Sequence, residues 1–152
     1  MEDTKTLTVS LKGEEVARKI EESFPGSVVG SDKTTVVISG EYLHRVMEYL
    51  KNTAELDFNY LANLTSVDYT DYFEVVYHLN SLTHNHNIVV KTRCYDREKP
   101  VVDSVYDLWR SADYQEREVY DLMGIFFKGH PNMKRLFLWD DFVGHPLRRD
   151  YL

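Results

Sequence analysis

The chain has 152 residues, 43% of them hydrophobic and 13% aromatic, with a formal net charge of −7. That is enough for one domain with a real core, and the acidic balance argues against a nucleic-acid module, which carries a basic footprint. The single cysteine, Cys94, excludes an internal disulfide and cannot alone hold an iron–sulfur cluster, and no run approaches the roughly 18 apolar residues of a spanning helix.

The acidic start Met1-Glu2-Asp3 lacks a signal-peptide core, and points to a cytosolic or organelle-encoded protein that meets a membrane only through partners. Thr6 to Leu11 alternates as a short strand. From Glu14 to Phe24, the positions Val16, Ala17, Ile20 and Phe24 fall at helical spacing, and Pro25-Gly26 ends that helix. Ser27-Val28-Val29 and Thr34 to Ser39 are β-branched and flank Gly30-Ser31-Asp32-Lys33, the pattern of a hairpin. Glu41 to Lys51 is the clearest helix, with Tyr42, Leu43, Val46, Met47 and Leu50 on one face.

Phe58 to Val67 is mixed and is expected to begin helical and end as a strand at Leu64 to Val67. Asp68-Tyr69-Thr70-Asp71 reads as a turn. Phe73 to Leu79 and Ile88 to Cys94 alternate on either side of Thr83-His84-Asn85-His86-Asn87, an antiparallel hairpin with one buried face. Cys94, inside that alternation, is expected to be a buried, inert thiol. Ser104 with Asp107 resembles a capping box for a short helix through Leu108-Trp109.

The densest pattern runs from Ser111 to Ile125. Asp113 and Glu116 stand as an N-cap and its N3 partner, and Gly124 stands where a left-handed residue closes a helix. Asp113, Arg117 and Asp121 share one face at a spacing of four, an arginine between two carboxylates. Residues 128–152 then carry net +2 against −9 for the rest. Their glycines, prolines and paired cations bury little surface alone, so this tail is expected to be mobile as a free chain and to lie on a neighbour. These patterns imply an α+β fold: a small, mostly antiparallel sheet with helices packed on it (1–127) and an extended C-terminal tail (128–152).

Candidate chemistry is thin. His84 and His86, two apart, offer at most a partial metal site without a third ligand at a known spacing. His130 and His145 each precede a proline and sit in turns. Glu116 and Glu118 point to different faces of a helix, a poor geometry for a shared proton. There is no dinucleotide fingerprint, phosphate loop or nucleophile elbow.

Two blocks resemble the signature of the 30-kDa-type subunit of respiratory complex I, the NADH:quinone oxidoreductase. The first comprises Glu116-Arg117-Glu118, Tyr120-Asp121, Gly124-Ile125, Phe127, Gly129-His130-Pro131, Lys134-Arg135 and Leu136. The second comprises Gly144, Pro146, Leu147, Arg148, Arg149, Asp150 and Tyr151. Phe58 to Leu61, Leu64 to Tyr69, Phe73 to Leu79 and Ser104 to Trp109 also look like that family, and the likeness starts near Ser39.

The resemblance implies a non-catalytic structural and assembly subunit of a proton-translocating oxidoreductase, at the cytoplasmic face of the membrane and peripheral to it. It implies no cofactor on this chain, with FMN, iron–sulfur clusters and quinone in partner subunits. The implied partners are the hydrogenase-like, 49-kDa-type subunit and the iron–sulfur subunits. The contact is assigned to Glu116, Arg117, Glu118, Asp121, Gly129, His130, Pro131, Lys134, Arg135, Pro146, Leu147, Arg148, Arg149, Asp150 and Tyr151, with Phe137 and Trp139 as further anchors. Alternatives are the same role in a complex with another electron donor, of plastid, cyanobacterial or membrane-bound hydrogenase type, and a stand-alone metal-binding module built on His84 and His86.

Overall fold

The computed structural model describes residues 8–134 and 144–149. Strand β1 (Val9–Ser10) leads into helix α1 (Gly13–Ser23). Strands β2 (Val28–Ser31) and β3 (Thr35–Ile38) follow, then a 3-10 turn at Gly40–Tyr42 and helix α2 (Leu43–Asn52). Strands β4 (Tyr60–Asp68), β5 (Phe73–Ser81) and β6 (His86–Cys94) form a meander. Strand β7 (Val101–Asp103), helix α3 (Ala112–Met123) and strand β8 (Phe126–Lys128) complete the elements.

The main sheet runs β2-β3-β6-β5-β4, with β1 also on β6. The β2–β3, β4–β5 and β5–β6 pairs are antiparallel, while β3 and β1 meet β6 in parallel. A small parallel pair, β7–β8, stands apart. The α+β class with a mostly antiparallel sheet is therefore as the alternating patterns imply.

The core lies on one face of that sheet. Val16, Ala17 and Ile20 of α1 and Leu43, Val46, Met47 and Leu50 of α2 pack against Val36, Ile38, Val75, Tyr77 and Val90, all buried. This is the outcome of a helical apolar stripe meeting a period-two strand face. The opposite sheet face carries Glu74, buried beneath Lys91 and Arg93 at 3.5 and 3.1 Å. Val76 is buried on that face as well, while His78 is exposed, so β5 is buried on both faces over its first half and on one face beyond it.

Three local expectations are corrected. Tyr60 to Asp68 is strand throughout, with no helical start, because it pairs with β5 along its length, across a bulge between Leu61 and Asn63 that keeps both Leu61 and Leu64 buried. Ser104 to Trp109 is a pair of turns, not a helix; the Ser104 hydroxyl accepts from Tyr106 N–H, while Asp107 reaches His44. Helix α3 begins after Ser111 without a side-chain cap, and Glu116 faces inward instead of capping.

Candidate functional site

Helix α3 and the chain that returns to it form the most elaborately bonded region. An α-helix ends with carbonyls that lack intrahelical partners. In α3 every carbonyl of the last turn is satisfied. Tyr120 O accepts from Gly124 N–H at 2.9 Å, and Leu122 O accepts from Leu147 N–H at 2.9 Å. Asp121 O lies 3.2 Å from His145 Nδ1, and Met123 O accepts from Arg148 Nε at 2.6 Å. Residues 144–149 are therefore a cap supplied by a distant segment of the same chain, contrary to the expectation of a mobile tail.

Gly124 makes that docking possible. It sits at φ +80, and a Cβ there would stand 2.6 Å from the His145 ring and 2.8 Å from the Arg148 guanidinium. Beyond the cap, Arg149 turns to the β4–β5 hairpin. Its N–H donates to Asp68 Oδ2 at 2.8 Å and its Nε to Asp68 O at 2.6 Å. Asp68 also takes both forks of Arg97, at 2.7 and 3.0 Å, and Thr70 N–H at 2.8 Å. The Arg97 guanidinium, with those backbone donors, holds the Asp68 carboxyl well below the usual carboxylate range despite its burial. Arg97 and Arg148 both lie over the Phe73 ring, at 4.4 and 4.9 Å.

Glu116 forms the second anchor. It is wholly buried, receives the Ser104 hydroxyl at 2.6 Å and receives Val105 N–H at 2.9 Å. Burial pushes its pKa up to about 7, against the pull of both hydrogen bonds. The Tyr77 hydroxyl is buried with no hydrogen-bond partner among the described residues; burial raises its pKa, and the charges of Glu116 and Asp103 add to the rise. Glu118, two residues on, is half-exposed, so the two glutamates do point apart.

The arginine of the expected ion triplet is not sandwiched. Asp113 meets His130 Nε2 at 3.0 Å, Asp121 is buried, and Arg117 Nε donates to Lys134 O at 3.4 Å. The His130 ring is fully enclosed, and its Nδ1 accepts from Asn132 N–H at 2.9 Å, which leaves Nε2 as the donor to Asp113. The carboxylate that a base would need is present, but both ring nitrogens are engaged. Likewise His84 and His86 each turn Nε2 to a carbonyl, Ala54 O at 2.7 Å and Leu56 O at 2.8 Å. Those contacts fasten the hairpin to the loop after α2, and among the described residues no group of three metal-ligating side chains converges.

Of the residues assigned to a partner contact, Glu116 and Asp121 are buried inside this chain, and Leu147, Arg148 and Arg149 brace α3 and β4. Arg117, Glu118, Gly129, Pro131 and Lys134 lie at or near the surface, as do Pro146 and Leu147. Arg135, Phe137, Trp139, Asp150 and Tyr151 lie outside the described residues. Sequence reasoning missed Arg97 and Ser104 as partners of the two anchors, and His44 with Asp107. Asp68 carried a visible signal, an aspartate opening a strand-ending turn; Arg97 carried none, since its partner is fixed only once β4 and β6 lie in one sheet.

Residues 36–152 match the family model for the respiratory-chain NADH dehydrogenase 30-kDa subunit. A relative from Phocaeicola vulgatus, named as the fused C/D subunit of NADH-quinone oxidoreductase, is 50% identical over 117 residues, 76% of this chain. The chain spans 22% of that relative's length. A relative from Moorella thermoacetica, named as the C subunit of NADH-quinone oxidoreductase, is 44% identical over 138 residues, covering 88% of this chain and 91% of its own. Among solved structures, a trypsin-resistant fragment of Nqo5 superposes with a TM-score of 0.63 at 33% identity, over 78% of this chain and 97% of that one. A chain of a membrane-bound sulfane sulfur reductase, described as an archaeal respiratory membrane complex, superposes with a TM-score of 0.68 at 27% identity, over 84% and 77%. The chain belongs to the 30-kDa subunit family of the respiratory-chain NADH dehydrogenase.

Proposed function

We propose that this chain is a cofactor-free structural subunit in the hydrophilic arm of a proton-translocating NADH:quinone oxidoreductase, packed against a hydrogenase-like, 49-kDa-type subunit and adjoining the iron–sulfur subunits. The observation that carries this reading is the relative whose name joins a C and a D subunit. One polypeptide holds two modules at high effective concentration, an arrangement suited to modules that pack together. FMN, iron–sulfur clusters and quinone then belong to partners, and attachment to the cytoplasmic face of the membrane goes through them. No helix among the described residues is long and apolar enough to cross a membrane. The acids with the most displaced protonation, Glu116 and Asp68, hold backbone N–H groups of this chain, a use that suits a rigid body between neighbours.

Affinity purification of the tagged chain from solubilised membranes, followed by mass spectrometry, tests the proposal. Recovery of the hydrogenase-like and iron–sulfur subunits is expected; recovery of the chain alone from the soluble fraction overturns it. The likeness to the sulfane sulfur reductase chain favours a second reading, the same structural role with a different electron donor. The donor-side subunits in the same eluate separate the two.

A further inference from the structure

Strand β4 is the outer strand of the main sheet, and its free edge is covered in pieces. In an antiparallel ladder, alternate residues turn N–H and C=O away from the partner strand. On β4 these are Leu64, Ser66 and Asp68. Leu64 N–H donates to Gln115 Oε1 at 2.7 Å, and Asp68 O accepts from Arg149 at 2.6 Å. Ser66 lies between these two covered positions, and its N–H and C=O have no partner among the described residues. It lies in a groove of about 290 Å³ between β4 and α3, walled by Val119, Leu122 and Met123, with Glu118 on the same helix and Leu147 beside them. Leu147 is 61% exposed, and Glu118 has no hydrogen-bond or ion-pair partner among the described residues.

We propose that this groove seats an extended segment of a partner subunit, which pairs with Ser66 as a short added strand and sets a lysine or arginine against Glu118. The inference rests on the multi-subunit reading above and names the surface through which it works. Open strand-edge groups are met by another extended backbone. The apolar walls receive alternate side chains of such a segment, and the Glu118 carboxylate selects a cation. The volume stands at the lower limit for small-molecule sites. A second copy fits worse, because a two-fold pairing through Ser66 brings two Glu118 carboxylates and two α3 helices to one seam.

The test is Leu147→p-benzoylphenylalanine in the tagged chain, photolysed in the purified membrane complex, with the adduct peptide sequenced. Ser66→Pro and Glu118→Lys are then added singly. Proline is tolerated where a strand N–H faces outward, so Ser66→Pro removes the donor and leaves the β4–β5 ladder intact; Glu118→Lys changes a half-exposed charge and leaves the backbone groups in place. The expected adduct is a lysine- or arginine-bearing peptide of another subunit, its yield falling at least about fivefold in each variant, a loss of about 1 kcal/mol of contact. An intact complex without an adduct, an adduct to a second copy of this chain, or a yield unchanged in either variant overturns the proposal. A chain that purifies without companions overturns the functional reading and the groove with it.

Discussion

Glu116 shows how far a residue's role lies from its local pattern. Three residues after Asp113, it has the spacing of a capping glutamate. Its partners are instead Ser104 and Val105, brought under it by the turns after β7. A carboxyl with a folded-state pKa near 7 and an unfolded value of about 4.3 holds its proton to higher pH in the folded chain. Its contribution is therefore fully present below the unfolded value and is lost as pH rises through the folded one, at most about 4 kcal/mol in all. Asp68 acts outside that window and with opposite sign: its depressed carboxyl stabilises above the ordinary carboxylate range and ceases to do so as pH falls through its own low value. Glu116→Gln keeps an acceptor for Val105 N–H and cannot ionise. Urea unfolding at about pH 5 and about pH 7.5 is expected to show wild-type stability falling and the variant flat to within about 1 kcal/mol. An equal fall in both would place the titration elsewhere.

At the scale of elements, the informative unit is α3 with its detached cap. Gly124 was legible as a helix terminator, and its positive φ agrees. That a segment some twenty residues later supplies the remaining donors was not, because capping by a distant chain leaves no periodic trace. The strands and the first two helices were legible for the opposite reason: their alternation and helical stripes are local records of one buried face. The stretch before Leu64 misled because its apolar letters fit both periods, and pairing with β5 decided between them. Gly124→Ala places a Cβ against His145 and Arg148 and forces a left-handed alanine, about 1–2 kcal/mol by itself. The cap is then expected to detach. Exchange of the Leu147 amide, whose N–H is held by Leu122 O, should accelerate roughly tenfold or more, and trypsin should cut sooner at Arg148 and Arg149. Unchanged exchange would mean that the cap tolerates the added methyl.

For the whole molecule, the residues that carry the family likeness sort into two groups by where they point. Glu116, Asp121, Arg148 and Arg149 knit α3, the β4–β5 hairpin and the returning chain into one body. Arg117, Glu118 and Lys134 stand at its surface. A subunit that assembles must meet both demands, a rigid body and a face left for its neighbours, and the two demands separate by mutation. Arg117 makes one long bond, 3.4 Å to Lys134 O. Its loss should change the stability of the isolated chain by no more than about 0.5 kcal/mol, as for surface positions generally. If its guanidinium meets a carboxylate or carbonyl of a partner in the assembled arm, truncation costs about 2–5 kcal/mol there. Arg117→Ala is accordingly expected to leave the thermal melt of the chain nearly unchanged, to lower co-purification of the hydrogenase-like subunit at least about tenfold, and to reduce quinone reduction only in proportion to the complex lost. Full co-purification with normal quinone reduction refutes the assignment. A melt lowered together with assembly would move Arg117 into the first group, among the residues that hold the body itself.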